Sequence, residues 1–462
     1  MIQVSDDPLA EGGIWAYGRR LRSGATSVLA TTRAYLERID RLDPRLGAFQ
    51  HVAYDQALQA AQGMDNLLAA GVDLGPLMGV PFAIKDLFAV NGQPLSAGSR
   101  IDVSEMVGLE GSFVKRLKVA GCIPLGKCKT VEFARGASGI SRVTGTPWNP
   151  WDARTHRVPG GSSSGSAVAM AAGLCGFAIG TDTGGSVRGP AALCGVFGHK
   201  STHGLWSLDG IYPNSPSFDT IGPLTRTAAD AALIFSELSG QIVPAPPSLR
   251  RLRVGKPSHH FFEQLDPAVA QCMASTLERL EQAGVQIVPV EVPEVDERSA
   301  FVNLLCSVEL IAGLGRERFL SVREQLDPLT VARAEVALSV PATEYVHMFR
   351  RHRTLCRVYD ERMQGLDAWI TPTAQRTAAP VPPLDKLEDT LTIEAQLGVN
   401  THLFSYFGLC ATSTPVQGPG ALLPVGLQTI CRGGDDARLL SIAMALESLF
   451  GLPARADLNA FL

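Results

Sequence analysis

Two stretches rich in glycine and serine hold the residue types that could carry out chemistry. They read Pro159-Gly160-Gly161-Ser162-Ser163-Ser164-Gly165 and Gly180-Thr181-Asp182-Thr183-Gly184-Gly185-Ser186. Either stretch alone is typical of a flexible turn. A helix of small residues at 167–172 and a strand at 177–180 are predicted between them. We therefore expect two loops that lie together at one end of a sheet.

The turn that ends at Ser186 could present a nucleophile and bind an oxyanion. Glycine tolerates positive φ, so successive backbone N–H groups can point the same way. Such a group of N–H donors can bind an oxyanion, and a helix after Ser186 would add positive potential. A serine at this position could be acylated if a neighbouring base removes its proton.

The base is not recognisable as a histidine. The chain has nine histidines, but none lies beside these loops in a known pattern, and a structural role is expected for His199 and His203. A buried lysine is another base, because desolvation lowers its pKa from about 10.4 toward neutrality, and Ser-Lys variants of the triad exist. Lys85 ends the apolar run 79–85, a predicted buried strand. From the residues alone, a solvated charge at that strand end stays the alternative.

Three other motifs are weaker candidates. Residues 161–165 fit G-x-S-x-G, but that motif follows a strand, and 157–159 make a poor strand. Residues 121–127 nearly spell a P-loop, yet Cys128 stands where Ser or Thr would bind magnesium. Residues 112–115 fit S-x-x-K on a predicted helix, without the partner motifs. We expect none of the three to act.

Composition excludes several classes of protein. Hydrophobic residues make up 45% and charged residues 19% of the 462 residues, so the chain can bury a sizeable core. The formal net charge is -4 and no long run of one sign occurs, so neither nucleic acid nor a membrane is an expected partner. Nine scattered cysteines without a CxxC pair argue against disulfides and structural zinc. Together with an acidic N-terminus and no membrane span, this favours a cytoplasmic protein.

Helices and strands alternate around the two loops. Two helices are predicted within 24–70, and a linker-like break at 243–247 interrupts the chain. A helix at 267–283 lies between two of the later predicted strands. The predicted strands are 79–86, 122–126, 177–180, 252–255, 285–290, 368–372 and 424–428. This alternation predicts a layered α/β architecture.

Together these residues resemble the amidase signature family. The resemblance covers most of the chain and includes the strand at 79–86, the glycine–serine stretch at 160–186 and the late motif at 423–428. Each piece is weak, but the long combined pattern is very specific. In this resemblance Lys85 matches the catalytic lysine, Ser162 matches the bridging serine that the family holds through a cis peptide bond, and Ser186 matches the nucleophile.

The resemblance also implies the residues around this relay. The oxyanion hole would consist of the backbone N–H groups of Thr183, Gly184, Gly185 and Ser186. The supporting polar positions would be Ser163, Asp182 and Arg188. The expected pocket residues are Gly136, Ala137, Gly139 and Gly189, with the stretch 206–218 nearby. Gly189 stands where the family usually has a larger residue, which would enlarge the pocket.

The implied fold is a mixed β-sheet sandwiched between layers of α-helices, in one catalytic domain over 1–462. Within it, N-terminal helices would span about 1–70, the motif core about 79–230 and a second α/β layer about 250–462. The implied activity is hydrolysis of a small-molecule amide C–N bond through an acyl-enzyme on Ser186, without a metal or cofactor. Carbamates, ureas and esters stay open as substrates, and so does a homodimer as the oligomeric state.

Two alternatives remain. The first is the catalytic A subunit of a tRNA-dependent amidotransferase, which shares this core. Such subunits usually differ at 199–206, and they usually carry two glycines where this chain has Ser164-Gly165. The second is a binding protein that has kept the fold without the activity. The presence of all three relay residues argues against it.

Overall fold

One mixed sheet runs through the molecule. The computed structural model describes residues 6–416, 422–452 and 454–462. Its eleven strands lie in the order β1-β3-β2-β4-β6-β5-β10-β11-β9-β7-β8. They are β1 (Phe49–Val52), β2 (Pro81–Lys85), β3 (Ile123–Cys128), β4 (Phe177–Asp182), β5 (Phe197–Lys200), β6 (Thr220–Thr225), β7 (Arg253–Pro257), β8 (Gln286–Val290), β9 (Ala368–Pro372), β10 (Cys410–Pro415) and β11 (Gly426–Cys431).

Helices cover both faces of this sheet. Every residue of β2 to β6 and of β9 to β11 is buried, as happens where neither sheet face meets water. The described α-helices are α1 (Gly13–Arg22), α2 (Val28–Leu46), α3 (Tyr54–Ala69), α4 (Ser104–Val107), α5 (Ser112–Val119), α6 (Ser164–Ala171), α7 (Arg188–Cys194), α8 (Ala228–Ser239), α9 (Pro267–Gln282), α10 (Glu297–Ala300), α11 (Cys306–Leu314), α12 (Arg316–Val322), α13 (Pro328–Ala334), α14 (Ala342–Arg362), α15 (Leu387–Gln396), α16 (His402–Tyr406) and α17 (Asp436–Phe450). The expected mixed sheet between helical layers is confirmed.

The parallel pairing of β2 with β4 positions the two glycine–serine loops. Ile84 of β2 lies opposite Ile179 of β4, so the carboxyl ends of both strands reach the same edge of the sheet. Lys85 is the last residue of β2, and Asp182 is the last residue of β4. Helix α6 follows the first loop and α7 follows the second, so both loops open at this edge.

The two halves of the chain share the sheet. Strand β5 pairs antiparallel with β10, with Ala411 opposite Lys200, and β11 pairs with β9 on the far side. Helix α17 packs against both α8 and β10. The break predicted at 243–247 is an irregular segment, but the sheet continues across it through the pairing of β5 with β10.

The N-terminal region confirms two predicted helices and adds a strand between them. Helix α2 begins after Ser27, whose side chain accepts a hydrogen bond from Ala30 N–H. It ends at Gly47, which has φ 62. Strand β1 then pairs with β3 at the sheet edge.

In the described part of the chain, no single helix is long and apolar enough to cross a membrane, although the bent pair 297–314 and 316–325 meets that test together by length and composition.

Candidate active site

Lys85 is buried at the end of β2 and contacts one residue from each loop. Its side chain is 0% exposed. Its Nζ donates a hydrogen bond to Ser162 Oγ at 2.7 Å and another to Thr181 Oγ1 at 2.8 Å. Thr181 lies on the neighbouring strand β4, and its role was not predicted from the sequence. The alternative of a solvated lysine at this strand end is therefore wrong.

Burial makes the Lys85 amine easy to deprotonate. Loss of hydration lowers its pKa to about 7, although the charges of Asp219 and Asp182 raise it in part. Among the described residues, no carboxylate forms a salt bridge with Lys85. A substantial fraction of the molecules therefore holds a neutral amine at neutral pH.

Ser162 lies in a loop that the second loop holds in place. The Gly161–Ser162 peptide bond is cis. Gly160 has φ +79, and a Cβ there would lie 2.7 Å from Pro190 Cα, so only glycine fits. The N–H of Ser163 donates to the carbonyl oxygen of Ser186 at 3.2 Å. As the sequence predicts, the two glycine–serine stretches meet.

Ser186 lies just before α7 and faces a cleft. The residue is half-buried and lines that cleft. Its hydroxyl makes no hydrogen bond to any residue that the structure describes, whereas the Ser162 hydroxyl is bonded to Lys85. The structure thus joins Lys85 to Ser162 directly and joins the two loops through Ser163 N–H and the Ser186 carbonyl, while the Ser186 hydroxyl is not hydrogen-bonded to Ser162.

Asp182 organises the turn that carries Ser186. Its carboxylate accepts hydrogen bonds from the N–H groups of Gly185 at 2.7 Å, Val187 at 3.1 Å and Arg188 at 3.3 Å. It also pairs with the Arg188 guanidinium at 2.9 Å, and both side chains are 0% exposed. Burial alone would raise the pKa of Asp182, but Arg188 and these donors hold it well below its usual range. Asp182 is therefore ionised.

Arg188 and Ser163 connect the turn to the sheet. Arg188 also donates to Gln428 Oε1 at 2.6 Å and Ser405 Oγ at 2.7 Å, which gives Gln428 of the late motif a structural role. Ser163 Oγ donates to the Thr181 carbonyl at 3.2 Å and accepts from Thr181 N–H at 3.3 Å. The predicted supporting residues thus contact the turn or β4.

The predicted oxyanion-hole donors divide into two kinds. The N–H groups of Thr183, Gly184 and Ser186 have no acceptor among the described residues. The N–H of Gly185 differs from the expectation, because it is already bonded to Asp182. At position 185, φ is +131 and a Cβ would lie 2.1 Å from Thr401 Oγ1, so this close approach requires glycine. Three of the four predicted donors are free to bind an oxyanion.

The cleft has a volume of about 700 Å³ including its open mouth. Of the predicted pocket residues, Gly136, Ala137 and Gly189 line it. Gly139 does not line it, because it packs against Gly160, whose carbonyl oxygen would lie 2.5 Å from a Cβ at 139. From the stretch 206–218, Asn214 is the residue that reaches the cleft.

Much of the cleft wall comes from residues that the sequence did not single out. Those from the second half of the chain are Phe301, Val302, Cys306, Arg333, Thr373, Ala374, Leu397, Gly398, Thr401 and His402. From the first half, Ala134, Arg135 and Leu193 also line the cleft without having been singled out. None of them belongs to a motif, and only tertiary packing brings them beside Ser186.

The described residues hold no group of three or more His, Cys, Asp or Glu side chains that could bind a metal ion.

Comparisons with known proteins show which family the chain belongs to. The family model described as Amidase matches residues 30–440. The 2-amino-5-chloromuconic acid deaminase of Comamonas testosteroni is 37% identical over 448 residues, which cover 94% of this chain and 95% of that protein. The A subunit of the glutamyl-tRNA(Gln) amidotransferase of Geobacter metallireducens is 32% identical, over 93% of this chain and 95% of that protein.

A solved structure of an amidase has the same fold as this chain. A crystal structure of an amidase superposes with a TM-score of 0.86 at 28% identity, and the match covers 95% of this chain and 100% of that one. The family match and the relatives each extend over most of the chain. The chain therefore belongs to the amidase signature family of hydrolases, which act on C–N bonds.

Proposed function

We propose that the protein hydrolyses an amide C–N bond of a small molecule through an acyl-enzyme on Ser186. One observation carries this proposal. The buried Lys85 amine lies 2.7 Å from Ser162 Oγ, next to the turn that presents Ser186 to the cleft. Acylation of a serine requires a nucleophile and a base that removes its proton. Here Ser186 would be the nucleophile, Lys85 the base and Ser162 the hydroxyl that passes the proton between them.

The first half of the reaction forms the acyl-enzyme. Neutral Lys85 accepts the proton of Ser162, and Ser162 accepts that of Ser186 as Ser186 Oγ attacks the carbonyl carbon. The negative charge moves to the carbonyl oxygen, where the free N–H groups of the turn stabilise it. The proton then returns through Ser162 to the nitrogen, the C–N bond breaks and the amine or ammonia leaves.

The second half releases the acid. A water molecule gives its proton to the same relay and attacks the ester of Ser186, and the C–O bond to Ser186 breaks. The Ser186 oxygen recovers a proton, and the carboxylic acid leaves. Carbamates, ureas and esters undergo the same acyl transfer, so a substrate panel of these classes beside aliphatic and aryl amides identifies the preferred one.

A labelling experiment tests the role of Ser186. We expect a small fluorophosphonate to modify the wild-type protein at Ser186 and to leave Ser186→Ala unmodified, with ammonia or amine release abolished in that variant. Circular dichroism would show that its fold is intact. Ser248→Ala removes an exposed hydroxyl and serves as the matched control. Near-normal turnover by Ser186→Ala would refute the assignment.

A second candidate function is removal of an amino group from an unsaturated amino acid. The observation in its favour is the 37% identity to the 2-amino-5-chloromuconic acid deaminase over 94% of this chain. Hydrolysis of an enamine by water yields ammonia and an oxo acid, whereas an amide yields ammonia and a carboxylic acid. Incubation with 2-amino-5-chloromuconic acid and identification of the product by mass spectrometry distinguishes the two.

The amidotransferase alternative rests on relatives such as the 32% identical protein of Geobacter metallireducens. In an amidotransferase the ammonia passes to a second reaction, which requires partner proteins. We propose that this chain acts without them. Release of ammonia from small amides by the purified chain would support this, and release from glutamine only after addition of the other amidotransferase components would overturn it.

A further inference from the structure

Arg135 is a buried cation in the cleft that the proposed relay does not use. The residue is 5% exposed and lines the same cleft as Ser186. The two residues before it, Phe133 with φ 52 and Ala134 with φ 59, take left-handed backbone conformations. Residues other than glycine adopt these conformations at a cost in free energy, and such residues concentrate at functional sites.

The guanidinium of Arg135 has unused hydrogen-bond donors. Its Nη2 donates to the Val302 carbonyl at 3.1 Å and to Ser307 Oγ. Its Nη1 makes no hydrogen bond to any residue that the structure describes, its Nε is buried without a partner, and the nearby Cys306 thiol is only a weak acceptor. No carboxylate in the described ranges forms a salt bridge with Arg135. Because a buried, unsatisfied, charged donor is costly, this side chain has capacity for an acceptor that the protein does not supply.

The charge of the cleft is also uncompensated. Arg135 and Arg333 are the charged residues of the described lining, which contains no Asp or Glu. Arg333 pairs with Glu394 at 2.9 Å, whereas Arg135 has no such partner. Burial lowers the pKa of Arg135 to about 10, so it stays protonated at neutral pH. Asp219 raises that pKa slightly, but it lies outside the described lining.

Burial also keeps His402, which lines the cleft, neutral at neutral pH. Burial lowers the pKa of His402 well below its usual range, and the charges of Arg298, Arg333 and Arg188 lower it further. His402 therefore adds neither a compensating charge nor a second cation at neutral pH. The positive potential in the cleft comes from arginine.

We infer that Arg135 binds a carboxylate of the substrate, remote from the C–N bond that is cleaved. A planar guanidinium with free donors matches a carboxylate better than any neutral group. The apolar side chains of Phe301 and Leu397 line the cleft and would contact the carbon chain in between. This inference rests on the proposed function, because it names the substrate class of the same site: monoamides of dicarboxylic acids.

Matched substrate pairs test the inference. Succinamate, glutaramate and adipamate each differ from the corresponding diamide by one group, a carboxylate in place of a second carboxamide. We expect wild-type protein to prefer at least one of these acids over its diamide in kcat/KM. Equal or better turnover of every diamide would overturn the inference.

Variants of Arg135 separate binding from structural support. Arg135→Met should lower kcat/KM for the preferred acid by about 30-fold or more, mostly through KM, and should leave its diamide nearly unaffected. Arg135→Lys keeps the charge without the planar donors, so its kcat/KM for the preferred acid should lie between those of wild type and Arg135→Met. Arg116→Met is the matched control, because Arg116 bonds to the Leu238 carbonyl at 2.9 Å away from the cleft. An equal loss for acid and diamide would indicate a structural role and overturn the inference.

A binding measurement keeps this test separate from the proposed function. Calorimetry with glutarate and glutaramide requires no turnover. We expect glutarate to bind wild-type protein more tightly than glutaramide and the preference to vanish in Arg135→Met. Labelling of Arg135→Met by a neutral fluorophosphonate should match that of wild type. Failure of labelling in wild type would refute the proposed function, whereas the absence of a glutarate preference would refute the carboxylate site.

Discussion

The protonation state of Lys85 decides whether the proposed relay can operate. The structure explains why this lysine differs from a surface lysine: it is enclosed at a strand end and bonded to two hydroxyl groups instead of a carboxylate. The cost of burying the ammonium form is offset only in part by Asp219 and Asp182. A general base works best when its pKa lies near the operating pH, and this site meets that condition.

We expect kcat/KM to rise with pH through an inflection near 7, the pKa of Lys85, and to level off above it. The rise follows because the amine can accept a proton from Ser162 only after it has lost its own. One pH unit below the inflection, kcat/KM should therefore be about tenfold lower than on the high-pH plateau. The measurement is a pH profile for one neutral amide. A profile that is flat across neutral pH would contradict the role of Lys85.

The contact between Lys85 and the Thr181 hydroxyl should affect the position of that inflection. The hydroxyl accepts a hydrogen bond from Lys85 at 2.8 Å, and an acceptor favours the charged ammonium form. Thr181→Val should therefore lower the pKa of Lys85 and shift the inflection to lower pH. Thr412→Val is a matched control on strand β10 away from the relay, and its profile should match that of wild type. An inflection that stays in place in Thr181→Val would show that this contact does not tune the base.

Gly189→Leu should narrow the range of acyl groups that the cleft accepts. Position 189 lines the cleft, and nothing lies within 4 Å of a Cβ built there. A leucine would therefore occupy empty space rather than strain the turn. We expect kcat/KM to fall steeply for amides with bulky acyl groups and little for those with small ones. Gly63→Leu, at an equally open position on α3, is the control, and an unchanged substrate profile for Gly189→Leu would contradict the expectation.

At the scale of single elements, the turn between β4 and α7 depends on one buried ion pair. Asp182→Asn keeps the size of the side chain but leaves Arg188 buried without its counter-charge. Breaking such a pair costs about 3–5 kcal/mol, so we expect a loss of that size in the free energy of unfolding and slow labelling of Ser186. Urea titration and fluorophosphonate labelling measure the two effects.

An exposed pair supplies the comparison for Asp182. Asp73 bonds to Arg22 with side chains that are 45% and 34% exposed. Because water screens such a pair, Asp73→Asn should cost about 1 kcal/mol or less and leave labelling unchanged. Similar losses in the two variants would show that burial of the Asp182–Arg188 pair is not what stabilises the turn.

The strands that the sequence predicted show either an apolar run or an alternation of apolar with other residues. Strands β2, β3, β4, β7, β8, β9 and β11 lie where the sequence predicts them, within a few residues at their ends. Strands β1, β6 and β10 were missed. Strand β6 reads Thr220-Ile221-Gly222-Pro223-Leu224-Thr225 and β10 reads Cys410-Ala411-Thr412-Ser413-Thr414-Pro415, and neither shows an apolar run or an alternation. They become strands because partners on both sides bond to them.

At the scale of the whole molecule, the relay and the cleft have different origins. The relay residues lie within about a hundred positions of each other, in motifs that the sequence displays. The walls that the second half supplies come from the π-helical turn Phe301–Leu305, from α11, α13 and α16, and from the loops that hold 373–374 and 397–401. None of these carries a recognisable motif. The proposed relay could therefore be inferred from the sequence, whereas the shape and charge of the cleft, including Arg135, required the folded chain.

The pairing of β5 with β10 makes the two halves of the chain interdependent, which leads to a prediction about cleavage. A protease site inserted between Pro246 and Pro247, in an exposed irregular segment, should allow the chain to be cut without separating the pieces. Strand β10 stays paired with β5, and Arg188 stays bonded to Gln428. Gel filtration should show one species of full mass, and a fluorophosphonate should still label Ser186. Two folded pieces that separate without denaturant would contradict the prediction of a single catalytic domain.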